Sequence, residues 1–82
     1  MSVAEDVHIP ERLVTAPRAG RFVPHISPEQ QRLVVGQALG VIVTTGEEHV
    51  VRSPFAGTLM GLLALPGERV RPGQPVAWLT TA

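Results

Sequence analysis

The sequence predicts an all-β fold, a flattened β-barrel or sandwich built from two halves related by pseudo-twofold symmetry. Three observations carry this. Eight glycines and eight prolines are spread through 82 residues and leave little room for a helix. The runs between them are rich in Val, Ile and Leu, residues that suit a pleated, half-buried strand. Finally, residues 11–45 align with residues 48–82 without a gap, at the 37-residue offset that separates Val14 from Val51 and Arg32 from Arg69.

The elements follow in chain order. β-rich runs are expected around 12–16, 20–24, 38–43, 48–52, 57–63 and 75–80. Only SPEQQRLV, residues 27–34, carries helix-start chemistry, with Ser27 as N-cap and Pro28 at the first helical position. It is long enough for one turn of helix. LPGE (65–68) and RPGQ (71–74) each place Pro before Gly, which suits a type II turn. Identical pairs across the offset include Glu11/Glu48, Val14/Val51, Pro17/Pro54, Gly20/Gly57, Arg32/Arg69, Gly36/Gly73 and Gln37/Gln74. Apolar positions match in type at Phe22/Leu59, Leu39/Val76, Val41/Trp78 and Ile42/Leu79. Two copies are too few for a solenoid, so each half is expected to cover the apolar faces of the other. Val41 and Trp78, with Leu39, Ile42, Val76 and Leu79, are expected to line the core.

Composition narrows the function. One small domain is expected over 11–82, preceded by a mobile tail at 1–10, for which a tether or an added edge strand is the second reading. There is no cysteine, which excludes disulfides, thiol nucleophiles and cysteine-bound zinc. The formal net charge is zero, so neither nucleic acid nor an anionic membrane is an expected partner. The opening MSVAEDVHIP has no basic segment followed by a long apolar one, and a cytoplasmic location is expected. All seven basic residues are arginines, and the chain contains no lysine.

The two halves meet at GVIVTTGEEHVV, residues 40–51, which reads as a β-hairpin with Gly46 in the turn. The polar segment Thr44, Thr45, Gly46, Glu47, Glu48 and His49 is expected to project from one end of the fold. Glu47 and Glu48 serve either as a docking surface or as charges that keep an edge hairpin soluble. No metal site is expected, because His8 and His25 lack a useful spacing to His49. Ser2, Ser27 and Ser53 sit in no nucleophile-elbow context, and no general acid–base set is present, so no catalytic residue is expected. Phe55, between Pro54 and Ala56, is expected to be half exposed.

The second half, VVRSPFAGTLMGLLALPGERVRPGQPVAWL, resembles the biotinyl/lipoyl carrier domain family, whose fold is the barrel-sandwich hybrid. The shared features are V-x-S-P-x-A-G-x-L, then G-E-x-V, then G-Q-P-V/L-A. VVGQALGVI in the first half is similar to the family's stretch before its attachment turn. The resemblance spans roughly residues 12–80, and it implies a hairpin that carries a biotinylated or lipoylated lysine. The family's E-A-M-K-M or E-T-D-K-A motif falls on Val43, Thr44, Thr45, Gly46 and Glu47, which puts Gly46 where the lysine belongs. Both prosthetic groups are joined by an amide to a primary amine, and a guanidinium is no substitute. The resemblance therefore implies a lysine-less carrier-like domain with no cofactor. It would serve as a protein-interaction or structural subunit of an acyl-CoA carboxylase or 2-oxo acid dehydrogenase complex. The alternative is a lipoyl-like adaptor related to the membrane-fusion proteins of efflux systems, which separate such halves by a long helical hairpin; here only TTGEEH does so.

Overall fold

The structure, a computed structural model, describes residues 11–27, 29 and 31–81. The expected tail at 1–10 lies outside these. Eight strands follow one another: β1 (Glu11–Thr15), β2 (Gly20–Pro24), β3 (Gln31–Leu33), β4 (Ala38–Thr44), β5 (Glu47–Arg52), β6 (Gly57–Leu62), β7 (Arg69–Val70) and β8 (Pro75–Thr80). They form two antiparallel four-stranded sheets, ordered β1-β8-β6-β3 and β5-β4-β2-β7. The fold is all-β, and among the described residues there is no helix. Of the flattened barrel or sandwich that the sequence predicts, the structure is the sandwich: among the described residues no ladder joins the edge of one sheet to the other.

Moving 37 positions along the chain exchanges the sheets. β1, β2, β3 and β4 become β5, β6, β7 and β8, and the order β1-β8-β6-β3 becomes β5-β4-β2-β7. Registers follow. Arg12 faces Leu79 and His49 faces Ile42; Leu33 faces Gly57 and Val70 faces Gly20. Even the irregularity where β1 passes Val76 of β8 has its counterpart where β5 passes Leu39 of β4. The correspondence fails once, where β6 carries Met60 as an extra residue between Leu59 and Gly61.

The core is paired in the same way. Val14 and Val51, Phe22 and Leu59, Leu33 and Val70, Leu39 and Val76, and Ile42 and Leu79 are all buried between the sheets. Each half supplies what the other lacks, because a single sheet with one apolar face must bury it against another layer.

Two expectations are corrected. SPEQQRLV forms no helical turn among its described residues; Gln31–Leu33 is a strand. The Ser27 hydroxyl does accept a hydrogen bond from the Glu29 N–H, at 3.2 Å, but that closes a local serine turn. Burying Leu33 against β6 then outweighs weak helix signals. Pro28 lies outside the described residues. The second correction concerns Val41 and Trp78, which lie on the outer faces of the sheets. Their neighbours Ile42 and Leu79 point inward, and side chains alternate along a strand. Val41 is only 5% exposed because Val23 and Val50 flank it on that outer face. Trp78 is half-buried beside half-exposed Leu13 and packs over the gap left by Gly61.

Three tight turns share one design. Hydrogen bonds run from Gln37 N–H to Val34 C=O, from Glu68 N–H to Leu65 C=O and from Gln74 N–H to Arg71 C=O, at 3.1, 2.9 and 3.0 Å. Gly36, Gly67 and Gly73 occupy the third position with φ of 87°, 80° and 83°. With Pro66 and Pro72 before the latter two, these are the expected type II turns. In each, the fourth residue's side chain reaches back to accept from the first residue's N–H: Gln37 to Val34, Glu68 to Leu65 and Gln74 to Arg71.

Candidate functional site

β4 and β5 form the hairpin at the junction of the halves. Their ladder runs from Ala38 opposite Arg52 up to Thr44 opposite Glu47. That leaves Thr45 and Gly46 to reverse the chain. Gly46 has φ of 78°, in the left-handed region that L-residues avoid, while no other residue type in the described chain has positive φ. A Cβ built on Gly46 meets nothing within 4 Å, so the tip has room for a side chain and only the backbone conformation resists one.

The structure brings the expected hairpin residues together at one end of the sandwich. Thr45, Gly46, Glu47 and Glu48 are exposed, whereas Thr44 and His49 are half-buried. The His49 Nε2 lies 3.2 Å from the Glu47 carboxylate and 3.5 Å from the Thr44 hydroxyl, which ties the two arms together below the tip. Glu48 makes no ion pair among the described residues. No group of three or more His, Cys, Asp or Glu able to hold a metal ion occurs among the described residues.

Away from the hairpin, Ser53 is buried. Its hydroxyl donates to the Phe55 carbonyl at 2.6 Å and accepts from the Phe55 N–H at 3.3 Å. It is a structural tie at the start of the β5–β6 loop. Phe55 is half-buried against the core, and the Arg12 guanidinium lies 5.8 Å from its ring centroid, a cation–π arrangement.

Sequence reasoning missed a cleft of about 380 Å³ beside the hairpin root. Arg21, Arg69, Val43, Thr44 and Thr45 line it together with Ala19 and Gly20. Arg21 and Arg69 stand directly opposite each other on β2 and β7. Nothing in the sequence marks this pairing, because β7 is two residues long and carries no strand pattern of its own.

The sandwich with a reversing hairpin at the junction of its halves is the architecture expected from the resemblance to biotinyl/lipoyl domains. Comparison with known proteins leads to the same class. No family model matches the chain. It is 36% identical over 64 residues to methylcrotonoyl-CoA carboxylase subunit alpha, mitochondrial, of Glycine max, across 78% of this chain and 9% of that protein. It is 38% identical over 61 residues to the protein of the same name from Oryza sativa subsp. japonica, across 74% of this chain and 8% of that protein. The chain thus spans less than a tenth of the length of these curated relatives. Among solved structures, a single-chain, multi-domain long-chain acyl-CoA carboxylase superposes with a TM-score of 0.79 at 28% identity, covering 93% of this chain and 8% of that one. The Kluyveromyces lactis urea carboxylase superposes with a TM-score of 0.76 over 89% of this chain and 6% of that one; at 22% identity it shows the fold alone. Together these similarities support a biotinyl-domain-like region.

Proposed function

We propose that this chain is a non-catalytic, carrier-like domain of an acyl-CoA carboxylase type system, one that carries no prosthetic group and works through protein contacts in the cytoplasm. The observation that carries the reading is the hairpin tip. A two-residue reversal stands at the junction of the halves, where the resemblance expects a lysine, and its second residue is Gly46. An amide to biotin or lipoate needs a primary side-chain amine, and the chain contains no lysine. The relatives named above are carboxylases, which favours that system over the 2-oxo acid dehydrogenase type. In this reading the exposed Glu47 and Glu48 meet the partner. Both point from a turn held rigid by paired strands, which lowers the entropy cost of docking.

The test has two arms. Co-expressed with a biotin ligase or a lipoate ligase, the wild-type chain should keep its unmodified intact mass, whereas a mass increase of either group ends the reading. In the second arm, the chain should co-purify with carboxylase subunits from its host, and the double substitution Glu47→Arg, Glu48→Arg should abolish that. Unchanged co-purification of the variant would remove the hairpin from the interface.

A further inference from the structure

We propose that the cleft between Arg21, Arg69 and the hairpin root is a binding site for a compact oxyanion, the phosphate or carboxylate group of a small ligand. The proposal is independent of the carrier-like reading. It starts from an arrangement that is unfavourable without a ligand. Arg21 and Arg69 are register partners on β2 and β7, so two guanidinium groups leave adjacent positions on one face of the sheet. Like charges directly opposite each other destabilise a sheet. Among the described residues no acid forms an ion pair with either; Glu68, the neighbour of Arg69, accepts instead from the Leu65 N–H and the Gln74 amide. The ion pair found there joins His49 and Glu47, and Glu48 stands two strands away from Arg21, beyond Val43. The formal net charge of the chain is zero, so the pair is not the by-product of a basic surface.

The second sheet shows what the scaffold itself requires. The equivalent row there runs Glu11, Thr80, Thr58, Arg32, where the first sheet has Glu48, Val43, Arg21, Arg69. A threonine serves at the position of Arg21. The second guanidinium is therefore an addition that the fold does not demand, and it stands where a cleft opens. One donor of Arg21 is already committed: its Nη1 donates to the Gly67 carbonyl at 3.2 Å, which orients the group. A guanidinium has five N–H donors in a fixed fork; among the described residues Arg21 commits one of them, to Gly67, and no hydrogen bond or ion pair from the Arg69 side chain is found. Such forks match the paired oxygens of phosphate and carboxylate, and charge-assisted contacts of this kind are the strong ones. Thr45 also lines the cleft, and a threonine hydroxyl is a neutral donor.

The test is an NMR titration of the ¹⁵N-labelled chain with inorganic phosphate in one arm and acetate in the other, at ionic strength held constant with chloride. The expected result is a saturable shift of the amides of Gly20, Arg21, Val43, Thr44, Thr45 and Arg69. Its dissociation constant should be on the order of 1–10 mM, a reasonable strength for a few exposed charge-assisted contacts. Saturation with phosphate alone identifies a tetrahedral oxyanion, with acetate alone a carboxylate, and with both a site for either. Arg21→Thr, which installs the residue of the second sheet, and Arg69→Gln should each weaken binding at least about fivefold. Arg32→Gln, the matching change on the other sheet, should leave it unchanged. Shifts that never saturate, or a binding curve that survives the Arg21→Thr, Arg69→Gln double variant, would overturn the proposal.

Discussion

Gly57→Ala tests how the two halves are held together. Gly57 begins β6, and β8 passes close over it. A Cβ built there falls 2.2 Å from the Thr80 carbonyl oxygen, 2.8 Å from Leu79 Cδ1 and 3.1 Å from the Thr80 carbonyl carbon. Side-chain carbons do not approach within 3.0 Å of another heavy atom, so β8 must move by most of an ångström. The first contact is backbone, and no rotamer change relieves it. Leu79, on the same strand, is fully buried, so the shift reaches the core. Overpacking of this kind costs about 1–3 kcal/mol, and a backbone clash belongs at the upper end, about 2–3 kcal/mol. Gly36→Ala is the control. Nothing lies within 4 Å of its built Cβ, and its cost is that of φ at 87°, about 1 kcal/mol. Urea unfolding followed by the fluorescence of Trp78, the one tryptophan, measures both. With a slope of about 1 kcal/mol per molar for a small domain, Gly57→Ala should lower the midpoint by about 2 M and Gly36→Ala by about 1 M. If Gly57→Ala proves no more destabilising than Gly36→Ala, the close approach of β6 to β8 is wrong.

Four further outcomes follow from the packing and the backbone. Phe22→Ala removes a fully buried ring and should cost about 3–5 kcal/mol, enough to unfold the domain, whereas Trp78→Ala should give a folded protein by circular dichroism because that side chain lies on the outer face. Ser53→Ala deprives Phe55 of both its backbone partners and should cost about 1–2 kcal/mol in the same urea assay; Ala16, the counterpart of Ser53, has no such tie to lose. Gly46→Lys should fold, losing about 1 kcal/mol to positive φ and nothing to crowding, with a thermal melt as the readout. A loss of several kcal/mol there would mean that the tip packs against something.

Much of this molecule was legible in its sequence, and the reason is the spacing of its turns. Pro66 with Gly67 and Pro72 with Gly73 specify their turn type locally, because proline fixes one φ and only glycine accepts the next. The runs rich in Val, Ile and Leu mark six of the eight strands, and the offset from Val14 to Val51 pairs the buried residues of one half with those of the other, since equivalent positions in a twofold sandwich meet equivalent surroundings. The hairpin at residues 44–49 and the glycine at its tip are likewise local features, set by Gly46 between two apolar runs. Three things were decided only by the tertiary structure. β3 and β7 exist because β6 and β2 offer them edges, and strands of three and two residues have no period to read. Trp78 faces outward because Leu79 beside it is claimed by the core; its match to Val41 across the offset and its place in a strand do not say which face it takes. The meeting of Arg21 with Arg69 follows from the crossing of the halves, which brings together side chains 48 positions apart in the sequence. No local rule links residues at that distance, because their contact depends on how each sheet borrows strands from both halves.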